Sequence, residues 1–184
     1  MTVSIENTIK SRRTIHQFKH TEIPPLELLE RAIDSCIWAP NHHLTQPWRF
    51  HLIGPQTAEL ICLLNAELVQ SKKGEKAAEI KLRRWREIPG WLLMSRERVD
   101  DNLRDQEDYA ACCCAAQNLS LLLWEQSIGM KWTTGEITRN GRFFDIVGLN
   151  FATESVVGLF WYGYPADIPQ ATRIAASKHI KSLP

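Results

Sequence analysis

Apolar residues recur along this chain with two periods, and the switches between them predict an ordered succession of helices and strands. In residues 3–11, Ile5 and Ile9 lie one turn apart, which predicts a short helix. Pro24 suits the first turn of a second helix reaching to about residue 38. In it Leu26, Leu29, Ile33, Cys36 and Ile37 share a face, while Glu27, Glu30, Arg31 and Asp34 take the wet side. Residues 48–53 alternate as a strand closed by Gly54 and Pro55, and 56–70 return to helical spacing through Leu60, Ile61, Leu64 and Leu68. Residues 91–94 are a short apolar run that reads as a buried strand. The stretch 105–127 is apolar on nearly all sides, with Ala110, Ala111, Ala115, Ala116, Leu119 and Leu123 among small and greasy neighbours. A helix of that kind must be covered all round, which in so short a chain predicts a subunit interface. Residues 129–134 read as a strand that ends at a ligand-approachable glycine, Gly135, then 143–149 as a short helix and 155–162 as a central strand dense in β-formers.

Composition narrows the class. The 184 residues form a single domain over 1–184, or one protomer of an intertwined dimer. Twenty-two Lys and Arg against 21 Asp and Glu leave a net charge of +1, which gives no general pull toward nucleic acid or a membrane surface. The most apolar stretch, 109–124, is broken by Gln117, Asn118 and Ser120, so no membrane span is expected, and the N-terminus carries Glu6 and lacks the apolar core of a signal peptide. Five cysteines, an odd count with three in a row, make no disulfide framework and point to a reducing, cytoplasmic setting. Cys112, Cys113 and Cys114 project about 100° apart on a helix and do not converge on a metal. Charge dominates 71–108, which suits either a lid over a site or a linker; the basic run Lys81, Arg83, Arg84 and Arg86 reads as a solvated helix face.

Two stretches carry candidate chemistry. Between Pro40 and Pro47 the chain offers Asn41, His42, His43, Thr45 and Gln46 as hydrogen-bonding groups, followed by Trp48, whose indole could cover a ligand face. The prolines pin the loop at both ends, and the whole suits a flat, polar-edged ligand. Near the N-terminus, Arg12 and Arg13 beside Thr14 form an anion clamp, since guanidinium groups bind phosphate through paired charge-assisted hydrogen bonds. A tail arginine, Arg173, could return to the same phosphate. His42 and His43 have no carboxylate or further histidine at ligand spacing, so no metal site is expected.

Taken in order, Arg12-Arg13-Thr14 with Phe18, Ala39-Pro40 through Gln46-Pro47-Trp48, Gln117-Asn118-Leu119 with Ile128-Gly129-Met130-Lys131-Trp132, and Val156-Val157-Gly158 through Gly163-Tyr164-Pro165 resemble the nitroreductase family of FMN-dependent oxidoreductases, most closely its small single-domain branch. The resemblance implies an α+β sandwich, a mixed, antiparallel-rich sheet flanked by helices, in an intertwined homodimer with FMN at the interface. It also implies NAD(P)H as donor and a small organic acceptor such as a nitroaromatic or quinone. Position by position, Arg12, Arg13 and Thr14 would hold the flavin phosphate and His16 would stand near the pyrimidine. Pro40, Asn41, His42 and Gln46 would reach the flavin from the partner, Trp132, Thr133 and Thr134 would line phosphate or ring, and Arg173 would close on the phosphate.

The flavin would carry the chemistry, so no side chain is assigned as an obligatory acid or base. His16 stands where the family usually has Arg or Lys, and Leu44 where many members have asparagine, so the reduced flavin would be less stabilised as an anion. Two other readings stay open: a flavin-binding protein without useful turnover, and the same scaffold serving dehalogenation or reduction of an activated alkene.

Overall fold

The computed structural model describes residues 4–184. Val3, the expected start of the first helix, lies outside the described residues. Four strands, β1 (Arg49–Leu52), β2 (Gly90–Glu97), β3 (Gly129–Thr133) and β4 (Glu154–Gly163), form one sheet in the order β1-β2-β4-β3, with every neighbouring pair antiparallel. The parallel component comes from outside the named strands, where Thr14 bridges Met130 and so lays the N-terminal segment along the free edge of β3. Six α-helices accompany the sheet among the described residues: α1 (Ile5–Ser11), α2 (Leu26–Cys36), α3 (Pro55–Lys73), α4 (Glu75–Arg86), α5 (Asn102–Glu125) and α6 (Gly141–Val147).

Alternation along the strands decides what each face of the sheet buries. Leu92 and Met94 of β2 turn to the side covered by α2 and α5, where Leu29, Cys36, Cys112, Ala115, Leu119 and Leu123 meet them. Trp91 and Leu93 turn to the opposite side, against Ile61 and Leu64 of α3, Trp85 of α4, and Phe143 and Phe144 of α6. There Trp85, Trp91 and Trp161 pack edge to face at 5.2–5.7 Å, the arrangement that the quadrupoles of aromatic rings favour. This is the expected α+β sandwich with helices on both faces.

The capping chemistry of the last two helices is local. Asp101 accepts from the backbone N–H groups of Leu103 and Arg104 at the start of α5, and Asn140 accepts from that of Arg142 at the start of α6. Gly148 ends α6 in the left-handed region at φ 71°.

Two features differ from the sequence reading. Trp48 does not face a ligand: it is only 7% exposed and sits in the core with Leu29, Ala39 and Met94. The segment 71–108 has regular structure, comprising the end of α3, α4, all of β2 and the first turns of α5. Its tryptophans, Trp85 and Trp91, belong to the core, and the charge that made the segment look loose is spread over the exposed sides of α4, the end of β2 and the start of α5, with Arg96 and Asp108 buried.

Helix α5 is buried at eight of its 24 positions; Leu103, Ala110, Cys114 and Gln117 are exposed and Leu121 is half-buried. At 100° per residue these positions fall within about 40° of one line, while Asn102, Arg104 and Tyr109 are exposed off that line.

Candidate functional site

Residues 12–18 leave α1 in extended form and are stitched to the β3 edge. The Ile15 N–H donates to the Met130 carbonyl at 3.2 Å, and Ala166 N–H returns to the Gln17 carbonyl at 3.0 Å. Ile15 is fully buried and points inward. Because side chains alternate along an extended segment, Arg12, Thr14 and His16 share the opposite side and span about 13 Å. The close approach depends on Gly129, where a Cβ would lie 2.3 Å from the Ile15 side chain.

Arg12 is half-buried, and its Nε is a buried donor with no partner. Burial, then Arg173, then Arg13 push its pKa down, so the structure brings all three guanidinium groups into one field. Among the described residues none of them has a carboxylate within ion-pair distance. Arg13 differs from Arg12 in being partly committed: its Nη1 donates to the carbonyls of Lys10 (2.7 Å) and Arg12 (2.9 Å) at the end of α1. Arg173 lies in the exposed tail and donates to the Thr172 carbonyl at 2.8 Å.

At the other end of the segment, His16 is held toward the neutral imidazole by partial burial, then by Lys131 and Arg84. Trp132 and Thr133 follow on β3. The Trp132 Nε1 donates to the Val157 carbonyl and the Thr133 hydroxyl to the Leu159 carbonyl, both at 2.9 Å, so the donors of both side chains are engaged within the sheet. Thr134 is exposed, and its carbonyl accepts from Arg139 at 3.0 Å.

The proline-bounded loop is elsewhere. His43, Leu44 and Gln46 all adopt positive φ, at 52°, 53° and 45°, a cost of about 1–3 kcal/mol each for residues other than glycine. Anchors hold that strain: the Gln46 N–H donates to Asn41 Oδ1 at 2.9 Å, and the Thr45 hydroxyl to Asp108 Oδ1 of α5 at 2.5 Å. His42 Nδ1 stands 3.9 Å from Glu107, and Pro40, His42, His43, Leu44 and Gln46 are exposed. The loop feeds β1, whereas Arg12, Thr14 and His16 flank β3 on the far edge of the same sheet. Four strand spacings, roughly 19 Å, separate the two regions within one chain.

Sequence reading missed a basic cleft of about 360 Å³ between α3, α4 and the end of β3. Lys81 and Lys131 enter it half-buried. The available signal was that Lys81 falls on the same helical stripe as Ala78 and Trp85, the buried residues of α4.

The family model described as "Nitroreductase family" matches residues 9–164. YfhC of Bacillus subtilis strain 168, which bears the name of an NAD(P)H nitroreductase, is 31% identical over 174 residues, covering 92% of this chain and 88% of that protein. A crystal structure of a nitroreductase-like family protein from Bacillus cereus superposes with a TM-score of 0.88 at 29% identity, over 100% of this chain and 97% of the other. A nitroreductase-type structure from Desulfovibrio desulfuricans in complex with FMN shares the fold, with a TM-score of 0.77 at 20% identity over 100% and 99% of the two chains.

Proposed function

Because this chain belongs to the nitroreductase family, we propose that it is an NAD(P)H-dependent flavin oxidoreductase that holds FMN and reduces a small organic acceptor such as a nitroaromatic or quinone. The observation that carries the reading is the uncompensated guanidinium of Arg12, half-buried with an unpartnered Nε in the field of Arg13 and Arg173. Such a donor set costs free energy until an anion of phosphate type occupies it, and it contains no competing carboxylate.

With the phosphate at Arg12 and Arg173, Thr14 offers a hydroxyl along the way, and His16 stands about 13 Å on, where the ring would lie. Arg13 contributes field, with Nη1 spent on the helix end. Trp132, Thr133 and Thr134 flank the ring at the end of β3. The chemistry that bound FMN supplies is two-electron transfer from a reduced nicotinamide to a second substrate. The chain's own work is to grip the phosphate, orient the ring and limit water.

Pro40, Asn41, His42 and Gln46 cannot reach that cleft within one chain, so we assign them to the partner of a homodimer. The stripe of α5 through the exposed Ala110, Cys114 and Gln117 is the surface that would pair. A cytoplasmic setting suits five cysteines that are all free. No described helix is long and apolar enough to cross a membrane.

The test is the absorption spectrum of purified protein, followed by NAD(P)H oxidation coupled to a nitroaromatic or quinone. Flavin bands with turnover are expected. A colourless protein that refuses added FMN would overturn the proposal, and bound FMN without turnover would make the chain a carrier.

A further inference from the structure

A separate cavity of about 570 Å³ lies beside His16, between residues 16–20 and the outer side of α4. It shares no lining residue with the cleft between α3, α4 and β3. Ile80, Arg83, Arg84 and Glu87 line it from the helix, and at these spacings one stripe of α4 forms that wall. His20 lines it from the N-terminal segment and ties that segment to the end of α4. Its Nδ1 stands 3.1 Å from the Glu87 carbonyl, which can only accept, so Nδ1 carries the proton and Nε2 is left free.

Charge on this wall is left unbalanced, unlike that of the neighbouring Arg86, whose Nε donates to Glu59 of α3 at 3.0 Å. Arg83 and Arg84 are exposed and have no carboxylate within ion-pair distance among the described residues. In the cavity the two guanidinium groups face one carboxylate, Glu87. The basic run of α4 is thus divided between a paired arginine and two that are open to a ligand. Burial is the first cause lowering the pKa of His16, Lys81 and Lys131, and the charge of Arg84 is a further cause in all three. The cavity therefore adjoins the end of the site where the flavin ring would lie, and it carries positive charge away from that end.

A nicotinamide donor must bring its reactive ring to the flavin while its adenosine end lies outside. NADPH differs from NADH by a phosphomonoester on the adenosine ribose, a group carrying close to two negative charges at neutral pH. Arginine accommodates such a phosphate, whereas a carboxylate accepts from the free ribose hydroxyl of NADH. We infer that this cavity receives the 2′-phosphate of NADPH, with Arg83 and Arg84 as its donors and Glu87 opposing it, and so sets a preference for NADPH over NADH. The inference rests on the oxidoreductase reading above and adds the choice of reductant to it. The phosphate takes no part in electron transfer, so Arg83 is a specificity residue and not a catalytic one.

The test compares NADPH with NADH as donors for the FMN-loaded protein and, by titration calorimetry, 2′,5′-ADP with 5′-AMP as ligands. NADPH should show a kcat/KM about tenfold higher, the low end for a hydrogen bond to a charged group, as exposure requires. Arg83→Gln should bring the two donors within about threefold of each other through the KM for NADPH, and Glu87→Gln should widen the gap about threefold by removing the opposing charge. Both side chains are exposed, so neither substitution threatens the fold. In calorimetry 2′,5′-ADP should bind about tenfold more tightly than 5′-AMP, and Arg83→Gln should close most of that difference. Equal use of the two donors, or a preference that survives Arg83→Gln, would overturn the inference while leaving the flavin reading intact. If the protein takes up no flavin or turns over neither donor, the oxidoreductase reading fails, and calorimetry on the protein as purified still decides the cavity.

Discussion

The indole of Trp132 lies across Gly158 of the neighbouring strand, so close that a Cβ at position 158 would stand 2.2 Å from Trp132 Nε1. The glycine gives the ring its place at the end of β3 and lets its N–H reach the Val157 carbonyl at 2.9 Å. Gly158→Ala should expel the ring, at a cost of about 1–3 kcal/mol in urea unfolding, and should weaken FMN binding with it. Unchanged stability and affinity would mean that the indole has room to move and does not shape the site.

Thr45 and Asp108 tie the strained loop to α5. Thr45→Val removes the donor and leaves a carboxylate that is 5% exposed short of a partner, a loss of about 1–3 kcal/mol. The loop should loosen first: amide exchange at residues 41–46 should accelerate, and FMN should bind roughly tenfold more weakly, while β2 and β4 stay protected. Uniformly faster exchange across the sheet would assign the pair to general stability.

Cys114 reports on the α5 stripe. Cys36 and Cys112 are buried with thiols pushed up to about 12, and Cys62 to about 11, so none of these should react with a thiol reagent in the native protein. Cys114 is exposed on a single chain, but a dimer paired through this stripe would cover it. Labelling followed by mass spectrometry should find Cys114 slow in concentrated protein and faster on dilution. Fast labelling at every concentration would exclude the stripe as an interface.

Acid sensitivity should centre on one ion pair. Hydrogen bonding to Arg96 holds the Asp105 carboxyl below its usual range, and the Arg96 side chain is only 7% exposed. A carboxyl depressed in the folded state contributes stability that is full above its unfolded pKa, about 3.9, and fades as pH falls through the folded value. Asp105→Asn should destabilise the protein at neutral pH by about 3 kcal/mol, because it strands a buried guanidinium. It should also flatten the stability profile below about pH 4. An unchanged acid profile in the variant would place the sensitivity elsewhere.

Much of this architecture was legible in the chain because burial follows period. Leu29 and Cys36 stand where helical spacing puts them, and Leu92, Met94 and Phe160 lie in the apolar runs read as strands. Trp48 was misread because a tryptophan next to a polar loop satisfies the patterns of a ligand cover and of a core plug equally well, and only packing chooses between them. The order β1-β2-β4-β3 could not be read locally, yet it decides the site by sending Arg12 and Gln46 to opposite edges. Arg13 looked like the twin of Arg12, and the backbone turn at the end of α1 made them different. Lys131 was hidden because a lysine in a strand signals an exposed face until the neighbouring helix is placed.

The central claim is that one flavin site takes Arg12 from one protomer and the proline-bounded loop from its partner. Co-expression of an Arg12→Gln chain with an Asn41→Ala, Gln46→Ala chain tests it directly, with FMN content measured in tagged, purified heterodimers. Shared sites place both defects in one cleft and leave the other intact, so each variant alone should lose most of its flavin while the heterodimer recovers about one FMN per two chains. Heterodimers as empty as the separate variants would show that each chain builds its own site, contradicting the account.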